Sequence, residues 1–93
     1  MKEKCFCMVE VSTYVGMMEI IDSMMKAADV ELVWYMKIDG GMMAACFRGD
    51  LGAVVIAVEA GRNLSKEKGF ELRELVLSRP DPVITKFLAE VAE

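Results

Sequence analysis

The sequence predicts an α+β domain: a four-stranded antiparallel sheet with two helices on one face and a short C-terminal helix. Three observations predict it. The spacing of apolar residues switches repeatedly between a period of two and a helical period, in the order β-α-β-β-α-β-α. Glycine, proline and aspartate fall at the switches, where a chain turns or a helix is capped. An Asp39-Gly40 pair stands between two apolar runs, a strong local signal for a β-hairpin.

The first strand is Cys5–Val11, with Cys5, Cys7, Val9 and Val11 on one face and Phe6 and Met8 on the other. Apolar residues on both faces predict a strand covered on both sides. Ser12 and Thr13 offer N-caps for a helix over 14–28. Its predicted inner stripe is Tyr14, Met17, Met18, Ile21, Met24, Met25 and Ala28, and Asp22 and Lys26 form an i,i+4 pair on the other side. Alternation resumes over 30–38, placing Val30, Leu32, Trp34, Met36 and Ile38 on one face. A type I′ turn at Asp39-Gly40, with positive φ at both residues, leads into the next strand over 42–47.

Asp50 is placed to cap a second helix over 51–67, and Gly69 to end it. That helix is rich in Gly and Ala, and Gly61 in its interior predicts close packing, since an interior glycine otherwise costs about 1 kcal/mol. The fourth strand spans 70–77, with a bulge predicted where its alternation slips at Arg73-Glu74. Pro80-Asp81-Pro82 starts the last helix, with Asp81 as N-cap and Pro82 at its first position. Val83, Ile84, Phe87, Leu88 and Val91 form its apolar stripe. The first six elements follow the split β-α-β, ferredoxin-like plan, with the second sheet face open to solvent or neighbours. Residues 1–4 are expected to be a flexible terminus and 5–93 a single domain.

Composition narrows the function. Hydrophobic residues are 55% of 93 residues before the seven glycines are counted, against roughly 45–50% with glycine included in ordinary domains. So small a domain cannot bury that surplus internally, which predicts burial against copies of itself or a partner. A net charge of −4 speaks against a nucleic-acid partner. Uncharged runs such as 40–47 fall short of the roughly 20 residues that cross a bilayer, and no long apolar run follows Met1-Lys2-Glu3-Lys4. The expectation is a cytosolic chain with no membrane or signal segment.

With no histidine, the usual neutral-pH base, Ser-His-Asp arrangements and most zinc chemistry are gone. Cys5, Cys7 and Cys46 read as small core hydrophobes rather than ligands. The methionine doublets at 17–18, 24–25 and 42–43 read as packing rather than a copper site. Glu10 has no partner carboxylate in the sequence pattern that would make it catalytic. No cofactor, metal or enzymatic constellation is expected.

Four segments carry a more specific signal: Met8-Val9-Glu10; Met24-Met25-Lys26-Ala27-Ala28-Asp29-Val30; Lys37-Ile38-Asp39-Gly40-Gly41; and Arg48-Gly49-Asp50-Leu51-Gly52-Ala53-Val54. With Ser78-Arg79-Pro80 near the end, their ordered combination resembles the single-domain hexameric shell proteins of bacterial microcompartments (BMC domains). The resemblance implies a cyclic homohexamer whose tiles pack edge to edge into a cytoplasmic shell. It implies other shell proteins and encapsulated enzymes as partners, and a central pore for small metabolites. Lys37, Ile38, Asp39, Gly40 and Gly41 match the family's pore loop, and Lys26 and Arg79 match its hexamer-edge contacts. The chain departs from the family at Asp39-Gly40, where a glycine and a small residue are usual, and at Trp34, where the family has glycine.

Two readings of Asp39 stand open: a carboxylate on the pore ring, or merely the first residue of an Asp-Gly turn. Lys26 is either an edge contact or a solvated helix residue. A small ferredoxin-like ligand-binding regulatory domain is the competing function, since the plan hosts many.

Overall fold

The computed structural model describes residues 4–90. The elements are β1 (Cys5–Val11), α1 (Tyr14–Ala27), β2 (Glu31–Lys37), a one-turn 3₁₀ segment (Asp39–Gly41), β3 (Met43–Gly49), α2 (Leu51–Lys68), β4 (Arg73–Leu77) and α3 (Pro82–Glu90). The sheet has the order β2-β3-β1-β4, antiparallel throughout, as the split β-α-β plan requires.

The alternation of β1 sorts as its sequence predicts. Cys5, Cys7, Val9 and Val11 join Met17, Ile20 and Met24 of α1 and Val54, Ala57 and Val58 of α2 in the main core. Phe6 faces the other way, into a smaller core with Trp34, Ala44, Cys46 and Leu88. The second sheet face is therefore not left open. α3 folds back over part of it, and the Trp34 indole N–H donates to the Leu88 carbonyl at 2.9 Å.

The caps follow the local chemistry. The Thr13 hydroxyl accepts from Gly16 N–H at 2.9 Å at the start of α1. The Asp81 carboxylate accepts from Val83 N–H at 2.9 Å at the start of α3. Gly69, at φ 78°, closes α2 in the left-handed conformation. Asp50 occupies the N-cap position of α2 but makes no side-chain cap bond; its carboxylate lies 3.5 Å from Lys4 Nζ. Lys4 is thus the described residue of the predicted loose terminus, and residues 1–3 lie outside the description.

The helix faces and the bulge depart from the sequence pattern. The inner stripe of α1 is Gly16, Met17, Ile20 and Met24, while Tyr14 and Met25 are exposed, so the helix is rotated from the predicted face. The bulge lies in β2, between Leu32 and Trp34, and not in β4, whose pairing with β1 is regular from Arg73 to Leu77. The bulge sends Leu32 to the helical core and Trp34 to the opposite face, which is how Trp34 reaches α3. The apolar stripe of α3 is only partly buried: Leu88 is buried, and Val83, Ile84 and Phe87 stand exposed. Val91 lies outside the described residues.

Gly61 does serve close packing. A Cβ there would meet Met24 Cγ and Sδ at 3.3 Å and Ile20 Cγ2 at 3.7 Å, at the crossing of α1 and α2. Gly61→Ala gains helix propensity worth about 1 kcal/mol while pressing on a yielding methionine, and is expected to stay within about 1 kcal/mol of the parent. Gly61→Leu has no such room and is expected to lose about 3 kcal/mol, read by urea unfolding at fixed chain concentration.

The thiols behave as core groups. Burial pushes Cys7 up to about 12, with Cys46 and Glu74 adding and the Phe47 backbone opposing, and burial pushes Cys46 up to about 11. Both stay protonated in the folded chain at neutral pH. Native protein at pH 8 should resist iodoacetamide at Cys7 and Cys46 and react at both once unfolded; rapid native alkylation would contradict their burial. As pH rises past the ordinary thiol value of 9.0, the unfolded chain sheds protons that the folded one keeps. Stability therefore falls between about 9 and 12, and Cys7→Ala should flatten part of that decline.

Candidate functional site

The hairpin between β2 and β3 is built by its two glycines. Gly40 and Gly41 both have φ 82°, and no non-glycine residue among those described has positive φ. The predicted type I′ turn at Asp39-Gly40 is thus displaced by one residue. The strand pairing ends at Lys37 opposite Met43, and Ile38 N–H donates to the Met42 carbonyl at 2.7 Å. Three residues, Asp39, Gly40 and Gly41, must then close the loop, and only the two glycines take the left-handed conformation without strain. A Cβ at either glycine would meet nothing within 4 Å, so the tip is open space. Lys37, Ile38, Asp39, Gly40 and Gly41 are all exposed.

The two edge candidates lie at the other end of the sheet. The row Glu31, Arg48, Phe6 and Leu77 crosses all four strands at that end. Lys26 sits in the last turn of α1, shortly before Glu31, and Arg79 follows Leu77 by two residues. Both are exposed; Lys26 Nζ lies 2.9 Å from the Asp22 carboxylate in an exposed i,i+4 pair. The Cys5 thiol donates to the Ser78 carbonyl at 3.1 Å, tying the Arg79 segment to β1. Strands of seven residues separate loop and edge by roughly 20 Å. The whole body measures 38 × 28 × 16 Å, a plate with the loop at one end and the cations at the other.

The long sides of the plate are different from each other. α1 reaches β2, and there Tyr14 and Tyr35 are exposed side by side, the Tyr35 hydroxyl raising the Tyr14 pKa chiefly by hydrogen bonding. α2 reaches β4, where Leu51, Val55 and Val76 are exposed and Arg62 pairs with Glu74.

One arrangement was not signalled by the sequence. Glu10 and Glu71 share a groove of about 260 Å³ with Arg73, Ser12 and Met42, close to the loop end. Glu10 lies directly opposite Arg73 in the β1–β4 pairing, and the strand register that brings them together is invisible in a local pattern.

An antiparallel four-stranded sheet with two helices on one face, a glycine-closed loop at one end and the exposed Lys26 and Arg79 at the other makes a flat split β-α-β plate. The chain belongs to the BMC domain family, which matches residues 6–80. It is a structural shell protein of a bacterial microcompartment. Among its relatives, the bacterial microcompartment shell protein PduA of Citrobacter freundii is 35% identical over 88 residues, 95% of each chain. EutM of Escherichia coli is 37% identical over 73 residues, 78% of this chain and 75% of that one. The carboxysome shell protein CcmK1 of Synechocystis is 39% identical over 75 residues, 78% of this chain and 68% of that one. In structure, a microcompartment protein from Desulfitobacterium hafniense matches 95% of the chain with a TM-score of 0.80 at 24% identity. This chain spans about half, 48%, of that protein, whose likeness shows the fold. No helix among the described residues is long and apolar enough to cross a membrane.

Proposed function

We propose that this shell protein forms a cyclic homohexamer in which the Lys37–Gly41 loop lines a central pore and Lys26 and Arg79 meet neighbouring tiles. The observation that carries the reading is the separation of the two features to opposite ends of one plate. In a ring of such plates one end lies at the axis and the other at the rim, so a single orientation serves both. A ring also needs two different, complementary sides on each subunit, because a head-to-tail contact never pairs a surface with itself. The unlike apolar sides, Tyr14 and Tyr35 against Leu51, Val55 and Val76, meet that need. They also give the apolar surplus of the composition a place to be buried.

In this reading the protein acts by assembly and permeation and is not an enzyme. Its partners are its own copies, other shell proteins, the enzymes enclosed by the shell and the small metabolites that cross the pore. Its place is the microcompartment shell in the cytoplasm, with no nucleic acid, membrane or cofactor involved.

Native mass spectrometry and negative-stain imaging of the purified protein test this directly. Hexamers that extend into flat sheets or tubes are expected. Monomers or dimers at micromolar concentration would overturn the ring.

A further inference from the structure

We propose that the cleft beneath α3 is a binding site for a small organic anion with an apolar body, separate from the pore loop. The cleft has a volume of about 530 Å³, within the roughly 300–1,000 Å³ typical of small-molecule sites. It lies at the edge end of the sheet, on the α3 side, where Phe6 and Arg48 form neighbouring positions of β1 and β3.

Its chemistry is two-part. Phe6, Pro82 and Ala89 give it apolar walls, and Phe6 is buried at 2% exposure. Lys4, Arg48 and Lys86 converge on the same space, and among the described residues no carboxylate lines it. Three cations around one cavity run against the net charge of −4 of the whole chain. Pro82, Thr85, Lys86 and Ala89 fall at i, i+3, i+4 and i+7, so one face of α3 presents the Thr85 hydroxyl and the Lys86 ammonium together.

The cations are not all committed elsewhere. Arg48 pairs with Glu31, and Lys4 with Asp50 at 3.5 Å, both in solvent-exposed pairs of the kind that are weak and readily exchanged. Lys86 makes no ion pair among the described residues. An anion entering the cleft gains Lys86 outright and can share Arg48, while its body covers the exposed Pro82 and Ala89. An inorganic ion satisfies the cations but leaves the apolar walls wet. A neutral apolar molecule does the reverse. Joint recognition selects a carboxylate or similar anion on an aryl or alkyl body.

Isothermal titration of the assembled protein with 4-phenylbutyrate, 4-phenylbutanol and inorganic phosphate tests the idea. Saturable binding of phenylbutyrate, one per chain, is expected, with the alcohol and phosphate each about tenfold weaker or worse. Lys86→Gln should weaken phenylbutyrate about tenfold, Lys86→Arg should retain it, and Ala89→Trp, which fills the cleft, should abolish it. The effect of Lys86 should shrink as salt rises. Equal binding of acid and alcohol, insensitivity to both Lys86→Gln and Ala89→Trp, or no saturable binding would overturn the proposal. Hexamer formation is read separately by imaging, so the two results are independent.

Discussion

Lys26→Ala is expected to abolish edge-to-edge sheets while leaving hexamers intact. The side chain is exposed and its ion pair with Asp22 is a solvated i,i+4 contact, worth about 0.3–0.5 kcal/mol. Losing it costs the fold little, so a folded, ring-forming variant should result. The effect on tiling is large because contacts between tiles repeat. A hexagonal tile meets its neighbours along every edge, and a deficit of about 1 kcal/mol at each edge multiplies through the lattice rather than adding once. Arg79→Ala should act in the same direction, since Arg79 lies at the same end of the plate, beyond the last residue of β4. Electron micrographs and sedimentation at matched concentration provide the measurement. Sheets of normal extent formed by Lys26→Ala would remove Lys26 from the tile edge and return it to the role of a solvated helix residue.

The sequence carried the element order because each element is specified locally. The alternation of β1, the Asp81-Pro82 start of α3 and the Gly69 stop of α2 each depend on a few adjacent residues, and each appears where expected. What it could not carry are choices made between distant segments. The alternation over 30–38 runs unbroken in the sequence, yet a bulge between Leu32 and Trp34 reverses the faces partway. The partner that rewards the reversal is the carbonyl of Leu88, 54 residues away. The stripe of α3 misleads for a related reason. Periodicity marks Val83, Ile84 and Phe87 as one face with Leu88, but it cannot say which surface that face meets, and of these four residues Leu88 alone is buried.

The candidate site divides in the same way. The five loop residues are contiguous, so a glycine pair between apolar runs is enough to find them. Even there the local rule erred by one position, because strand register decides which residues must turn, and register is set by β2 and β3 as a pair. Lys26 and Arg79 share no local pattern at all. Their shared end of the plate follows from the crossing row of Glu31, Arg48, Phe6 and Leu77, and the sequence offered them only through family resemblance.

Asp39→Gly is expected to raise the passage of small anions about tenfold without changing the passage of neutral molecules of the same size. Asp39 is exposed at the loop, and in a hexamer the substitution removes six carboxylates from one ring. A ring of acidic side chains concentrates cations and repels anions, and low-dielectric walls strengthen that field. Gly40 and Gly41 add no side chain beside it, so the backbone N–H groups of the loop are the opposing influence. With the loop at the axis as proposed, removing the carboxylates takes away the charge that repels anions and leaves backbone groups in its place. The backbone should tolerate the change, since Asp39 has negative φ and needs no glycine, while glycine accepts the same conformation. Flux of a small dicarboxylate and of its diamide into reconstituted shells separates charge from size. The contrast should fade as ionic strength rises and the screening length falls to about 8 Å at 0.15 M. Equal anion flux through the parent and Asp39→Gly shells would mean that the carboxylate points away from the axis, and Asp39 would then be only the first residue of its turn.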